Sequence, residues 1–139
     1  MQRLRFEYDV DGENFASAGN ASESVKRTLK QLGVPAESVR RVAIAMYEGE
    51  INMVIHAHGG KAEVDIYPDR VEIRLIDRGP GIADIGLAMQ AGWSTASENI
   101  RSLGFGAGMG LPNMKKYSDE MKVESEVGVG TTVFLRIDL

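Results

Sequence analysis

Cysteine is absent from the 139 residues, which removes disulfides, thiolate catalysis and cysteine-ligated zinc and fits a reducing cytoplasm. Basic residues are not in excess: 16 Lys and Arg stand against 20 Asp and Glu, a formal net charge of -4, and the cations form no long run. Direct binding to nucleic acid through phosphate neutralisation is therefore not expected. No apolar run reaches the ~18 residues a membrane span needs, and residues 1–8 carry no apolar signal-peptide core. A cytoplasmic protein without a membrane partner is the expectation. The two histidines, His56 and His58, make no His-Glu-x-x-His pattern and have no third ligand near, so zinc is not expected. Repeats, linkers and low-complexity tracts are also missing.

What is present suits a single domain over residues 1–139: 43% hydrophobic and 26% charged residues can bury enough apolar area to offset chain entropy. Leu4, Phe6, Tyr8 and Val10 alternate with charged residues, so residues 3–10 are expected as a half-buried strand. Helical spacing follows over about 14–32, with Val25, Leu29 and Leu32 on one stripe and Gly33-Val34-Pro35 as a stop. Gly19-Asn20 weakens its first turns. A longer helix is expected over about 36–58, its apolar stripe carrying Val39, Val42, Ala43, Met46, Ile51, Val54 and Ile55, with Gly59-Gly60 closing it.

Residues 62–67 and 71–76 alternate apolar with polar around Pro68-Asp69-Arg70, which reads as a β-hairpin. Residues 85–91 can form a short helix, 92–110 read as a glycine-rich loop, and 111–117 as another helix. Long loops in compact domains are usually functional. Two strands, about 120–126 and 131–137, then meet at a turn containing Gly128-Val129-Gly130. This order lacks the regular strand-helix alternation of a doubly wound fold. It predicts an α+β, two-layer sandwich with helices on one face of a mixed, mostly antiparallel sheet.

Three segments carry chemistry. Glu48 and Asn52 stand four apart on the second helix and share a face, where a carboxylate and an amide oxygen suit Mg2+ or a water bound to it; an ordinary solvated helix face explains the same spacing. Gly49, between them, costs ~1 kcal/mol relative to alanine, which points to a close approach to the helix backbone. Asp77-Arg78-Gly79-Pro80-Gly81 follows an apolar strand; it is either a plain turn or a sharp bend beneath a flat ligand, with Asp77 accepting a hydrogen bond from an exocyclic amine. Gly104, Gly106, Gly108 and Gly110 lead into a helix, where free backbone amides attract phosphate. They fit neither a dinucleotide-binding glycine motif nor a P-loop.

In this order the segments resemble the GHKL ATPases, the superfamily of gyrase-type topoisomerases, a heat-shock chaperone, mismatch-repair MutL and histidine kinases. The likeness runs from about Val39 to Ile137: Glu48 and Asn52 match the N box, Asp77, Gly79 and Gly81 the first glycine box, Gly106, Gly108 and Gly110 the second, and Gly130-Thr131-Thr132 the final Gly-Thr. The resemblance implies a Bergerat-type sandwich that binds ATP with Mg2+. It makes Asn52 the metal ligand, Asp77 the acceptor for the adenine amine, Gly79 and Gly81 the floor of the base pocket and Thr131 a support for adenine. Gly104, Gly106, Gly108 and Gly110 then wrap the phosphates, and Glu48 is the general base.

Within the superfamily, the chain is most similar to the bacterial anti-sigma-factor serine/threonine kinases, on its size and on the run from Gly92-Trp93 to Leu111-Pro112-Asn113. That likeness implies transfer of the γ-phosphate to a serine or threonine of an anti-anti-sigma, STAS-like partner, with a sigma factor as a further partner. Arg101 then either contacts the terminal phosphate or is an ordinary exposed loop arginine. It is also compatible with a homodimer through the first strand and helix. Two alternatives stand beside it: a non-catalytic module that binds partners under nucleotide control, and a detached histidine-kinase catalytic domain.

Overall fold

The computed structural model describes residues 3–11, 18–57, 59–79, 81 and 110–139. Among them the chain runs through β1 (Leu4–Asp11), α1 (Asn20–Gln31), α2 (Ala36–Ala57), β2 (Gly59–Ile66), β3 (Arg70–Ile76), α3 (Gly110–Tyr117), β4 (Glu120–Glu126) and β5 (Gly130–Asp138). The strands form one sheet in the order β1-β2-β3-β5-β4, and every described pair is antiparallel. The expected sandwich is present.

Strand alternation decides which side the helices cover. In register, Phe6 faces Val64, Val64 faces Ile73, Ile73 faces Leu135 and Leu135 faces Met121, so one apolar row crosses all five strands. This row packs with Val25 and Leu29 of α1, Val42, Met46 and Met53 of α2, and Leu111 and Met114 of α3 in one core. The opposite parity is polar. There Arg5 makes a two-pronged bond to the buried Asp65, at 2.9 and 3.1 Å, and Arg74 and Lys122 lie over the ring of Phe134.

Both hairpins are closed as the turn residues dictate: Tyr67 N–H donates to Arg70 O across Pro68-Asp69 at 2.8 Å, and Val129 N–H donates to Glu126 O at 3.0 Å. Two boundaries differ from expectation. β2 begins at Gly59 rather than Ala62, because Asp11 and Val10 of β1 pair with Gly59 and Gly60 and draw both glycines into the sheet. α1 begins at Asn20, after a left-handed Gly19, and residues 14–17 of the expected helix lie outside the described residues. Its C-terminal stop is as expected: Gly33 N–H donates to Lys30 O and Val34 N–H to Leu29 O, the paired bonds of a Schellman ending. The short helix over 85–91 and nearly all of the 92–110 loop lie outside the described residues. No described helix is long and apolar enough to cross a membrane.

The start of α1 has an unusual cap. Gly19 at the N-cap offers no side chain, and the exposed amides are met by Glu50 of α2, whose carboxylate accepts the N–H groups of Gly19, Ala21 and Ser22. Glu50 is only 1% exposed. Burial pushes its carboxyl above the ordinary range, while the three N–H bonds at a helix start pull it back.

Candidate functional site

Asp77 is the first residue beyond β3, and the ladder with β5 continues through it: its N–H donates to Thr131 O at 2.9 Å. Asp77 Oδ1 in turn accepts Thr131 N–H at 3.1 Å and Gly79 N–H at 2.9 Å. The second bond is an Asx-type turn, which the short side chain of aspartate makes readily. Among the described residues Oδ2 has no hydrogen-bond partner, so one oxygen fixes the loop and the other is left to accept.

Thr131 has the parity of Val133, Leu135 and Ile137, so it lies at the end of the helix-covered face. Its Oγ1 is 2.7 Å from Ser125 Oγ, opposite it in the β4–β5 ladder. Two glycines let this end of the sheet close up. Gly130 (φ 148°) lies so near Asp77 that a Cβ would run into the Asp77 carbonyl, and at Gly81 (φ 78°) it would run into the carbonyl of Glu126. The bend after β3 is thereby seated on the β4–β5 turn.

The helical side is set by Gly49. A Cβ there would strike Leu75 Cδ1, and Leu75 is only 2% exposed, so α2 rests on β3 at this glycine. The close approach that the sequence suggested is therefore to the sheet. One contact consequently registers Glu48, its neighbour on α2, with Asp77, two residues past Leu75.

Glu48 is half-buried, and Oε1 accepts a bond from Asn113 Nδ2 of α3 at 3.3 Å. Burial raises the carboxyl above the ordinary glutamate range, and the amide bond partly offsets this. Asn52 follows one turn later, half-buried, with no hydrogen bond to its amide among the described residues. A free amide oxygen beside a carboxylate fits Mg2+, which takes one or two protein ligands along with phosphate oxygens and water. Gly110 opens α3, and Pro112 sits in its first turn, where the missing N–H is not needed. Arg101, Gly104, Gly106 and Gly108 lie outside the described residues.

The structure thus joins Glu48 to Asn113, and Asp77 to Gly79, Thr131 and, through Thr131, Ser125. Sequence reading assigned no role to Asn113, Ser125 or Glu50. Ser125 follows from hairpin register once the β4–β5 turn is placed. Glu50 lies four residues after Met46 and four before Val54, a lone charge on the apolar stripe of α2. Asn113 had only its position, three residues after the last glycine.

The sequence matches the histidine kinase-like ATPase domain family over residues 14–137. A protein named anti-sigma F factor from Caldanaerobacter subterraneus subsp. tengcongensis is 33% identical over 138 residues, covering 96% of this chain and 90% of the relative. The serine/threonine-protein kinase RsbT of Bacillus subtilis is 31% identical over 112 residues, 78% of each chain. Among solved structures, one of the RsbU and RsbW domains of a Mycobacterium tuberculosis protein matches with a TM-score of 0.61 over 96% of this chain, at 16% identity. This chain spans 32% of that longer one, and the likeness concerns the fold.

Proposed function

The chain belongs to the histidine kinase-like ATPase domain family, the GHKL group that binds ATP, and from that premise we propose that it is a Mg-ATP-dependent serine/threonine protein kinase of the anti-sigma type. Its acceptor is a serine or threonine of an anti-anti-sigma, STAS-like partner, and a sigma factor is its second partner. The observation that carries this reading is Glu48: a half-buried carboxyl one turn before Asn52, hydrogen-bonded by an amide and raised by burial toward the range of a working base.

In this reading Asp77 Oδ2 accepts the adenine amine, Thr131 with Ser125 supports the base, and Gly79 and Gly81 line its floor. Asn52 holds Mg2+, which neutralises charge on the phosphates. Gly104, Gly106, Gly108 and Gly110 bind phosphate oxygens through backbone N–H groups, and Arg101 meets the terminal phosphate. Glu48 takes the proton of the acceptor hydroxyl as its oxygen bonds to the γ-phosphorus. The bond to the β-γ bridging oxygen breaks and ADP leaves with that charge.

The relatives named anti-sigma F factor favour a second reading, in which nucleotide governs partner binding with little turnover. Incubation with γ-labelled ATP, Mg2+ and a STAS-like protein separates the two. Acid-stable label on serine or threonine, lost in Glu48→Gln, supports the kinase. Nucleotide-dependent binding without label favours the module, and acid-labile label overturns both in favour of histidine phosphorylation.

A further inference from the structure

Among the described residues the Glu48 side chain has a single hydrogen-bond partner, Asn113 Nδ2. The two residues are 65 apart in sequence and on different helices, so the contact depends on how α3 lies against α2. That placement is firm. Leu111 and Met114, flanking Asn113 on α3, are 5% and 0% exposed and belong to the same core as Met46 of α2.

The fold does not explain an asparagine here. Asparagine is a poor helix former because its amide competes for nearby backbone groups, yet this amide bonds no backbone of its own helix among the described residues. Its only described bond crosses to Glu48. The chemistry of the partner does explain the residue. A lysine or arginine would hold the carboxylate by charge and depress its basicity. A neutral amide N–H fixes direction with a weaker pull. Bonding at Oε1 also stops the half-buried carboxyl from turning and leaves Oε2 to receive a proton.

We propose that Asn113 is a positioning residue for the phosphoryl-transfer base, holding Glu48 by Oε1 so that Oε2 faces the acceptor hydroxyl. The inference rests on the reading of Glu48 as base. It assigns Asn113 an effect on turnover and none on nucleotide affinity.

The test compares wild type, Glu48→Gln, Asn113→Leu, Asn113→Gln and the Glu48→Gln/Asn113→Leu double variant. Each is assayed for melting temperature, Kd for ATP, and kcat and KM for transfer to a STAS-like acceptor or, without an acceptor, to water. Loss of one oriented hydrogen bond should lower kcat of Asn113→Leu about tenfold. Kd and KM for ATP should stay within about twofold. Asn113→Gln, which keeps a neutral amide donor, should recover part of the loss, and the double variant should be no slower than Glu48→Gln alone. Unchanged kcat in Asn113→Leu, with Glu48→Gln inactive, overturns the positioning role and leaves the base intact. Full activity in Glu48→Gln overturns the base reading and this inference with it. Parallel losses of Kd, melting temperature and kcat in both Asn113 variants reassign the residue to packing.

Discussion

Asp77 and Thr131 are tied by two hydrogen bonds that run in opposite directions, Asp77 N–H to Thr131 O at 2.9 Å and Thr131 N–H to Asp77 Oδ1 at 3.1 Å. Because Gly79 N–H shares Oδ1, all the described bonds of the carboxylate fall on one oxygen. The fold therefore uses one oxygen of this side chain, and the other is the one proposed to meet adenine.

That division makes Asp77→Asn informative. The amide oxygen can still accept from Thr131 and Gly79, so the melting temperature should scarcely change. An NH2 group replaces Oδ2, and a donor would then face the adenine amine. ATP affinity should fall about tenfold to a hundredfold, the usual range for a buried polar group left unpaired. Asp77→Ala should lose stability as well, on the order of 1–3 kcal/mol, since two N–H groups lose their acceptor. Calorimetric titration and thermal melts of both variants give the answer; wild-type ATP affinity in Asp77→Asn would remove Asp77 from the site.

The Glu48 carboxyl predicts a pH dependence of definite sign. Its folded pKa is raised, chiefly by burial, so the acid limb of kcat should lie above the ordinary glutamate value of about 4.3, with turnover rising as the carboxylate forms. The stability effect has the opposite slope. The folded state holds this proton more tightly than the unfolded chain, so its contribution is complete below the unfolded pKa and is lost as pH rises through the folded one. Glu48→Gln should therefore melt no lower than wild type at pH 7 while turning over roughly 100-fold slower or worse. Paired rate and melting profiles from pH 4 to 8 are the check, and a variant that is both active and less stable contradicts it.

Glu50 should matter to stability more than its distance from α1 in sequence suggests. Glu50→Ala strands the three amides of Gly19, Ala21 and Ser22. Bonds to a charged acceptor and loss of a helix cap both point to a cost on the order of 2–3 kcal/mol. For a chain of this size that lowers the melting temperature by roughly 10 °C. Glu50→Gln keeps an acceptor and should recover part of it. Hydrogen exchange at Ala21 and Ser22 should rise in the alanine variant before global unfolding does, and unaltered exchange there would count against the cap.

What could be read from the sequence was what is local. The alternation in β3, the Pro68-Asp69 turn and the bend from Asp77 to Gly81 are each contained in a few residues, and strand parity then fixes the core face. Asp77 and Thr131 stood out through short motifs for the same reason. Pairings over long separations did not: Glu50 caps residues 28, 29 and 31 positions earlier, and Asn113 reaches Glu48 across 65. No periodicity encodes such contacts, because they exist only once α1, α2 and α3 have docked on the sheet. Gly49 is intermediate. Its cost in a helix signals a close neighbour, but only the fold identifies that neighbour as Leu75.

The Gly49–Leu75 contact gives the last prediction. In an exposed helix Gly49→Ala would stabilise by about 1 kcal/mol. Here the new methyl enters space held by Leu75 Cδ1, and overpacking of a tight core typically costs about 1–3 kcal/mol, so the net effect should be destabilising. Relief comes by Leu75 leaving its rotamer within the core or by α2 lifting from β3, and lifting would move Glu48 relative to Asp77 and weaken ATP binding too. Leu75→Val withdraws the interfering carbon. The Gly49→Ala/Leu75→Val pair should therefore be more stable than the sum of its single changes implies, by more than about 0.5 kcal/mol. A double-mutant cycle read by denaturant melts, with ATP affinity measured on all four proteins, tests both parts. Strict additivity would mean that α2 does not take its register on the sheet from this contact.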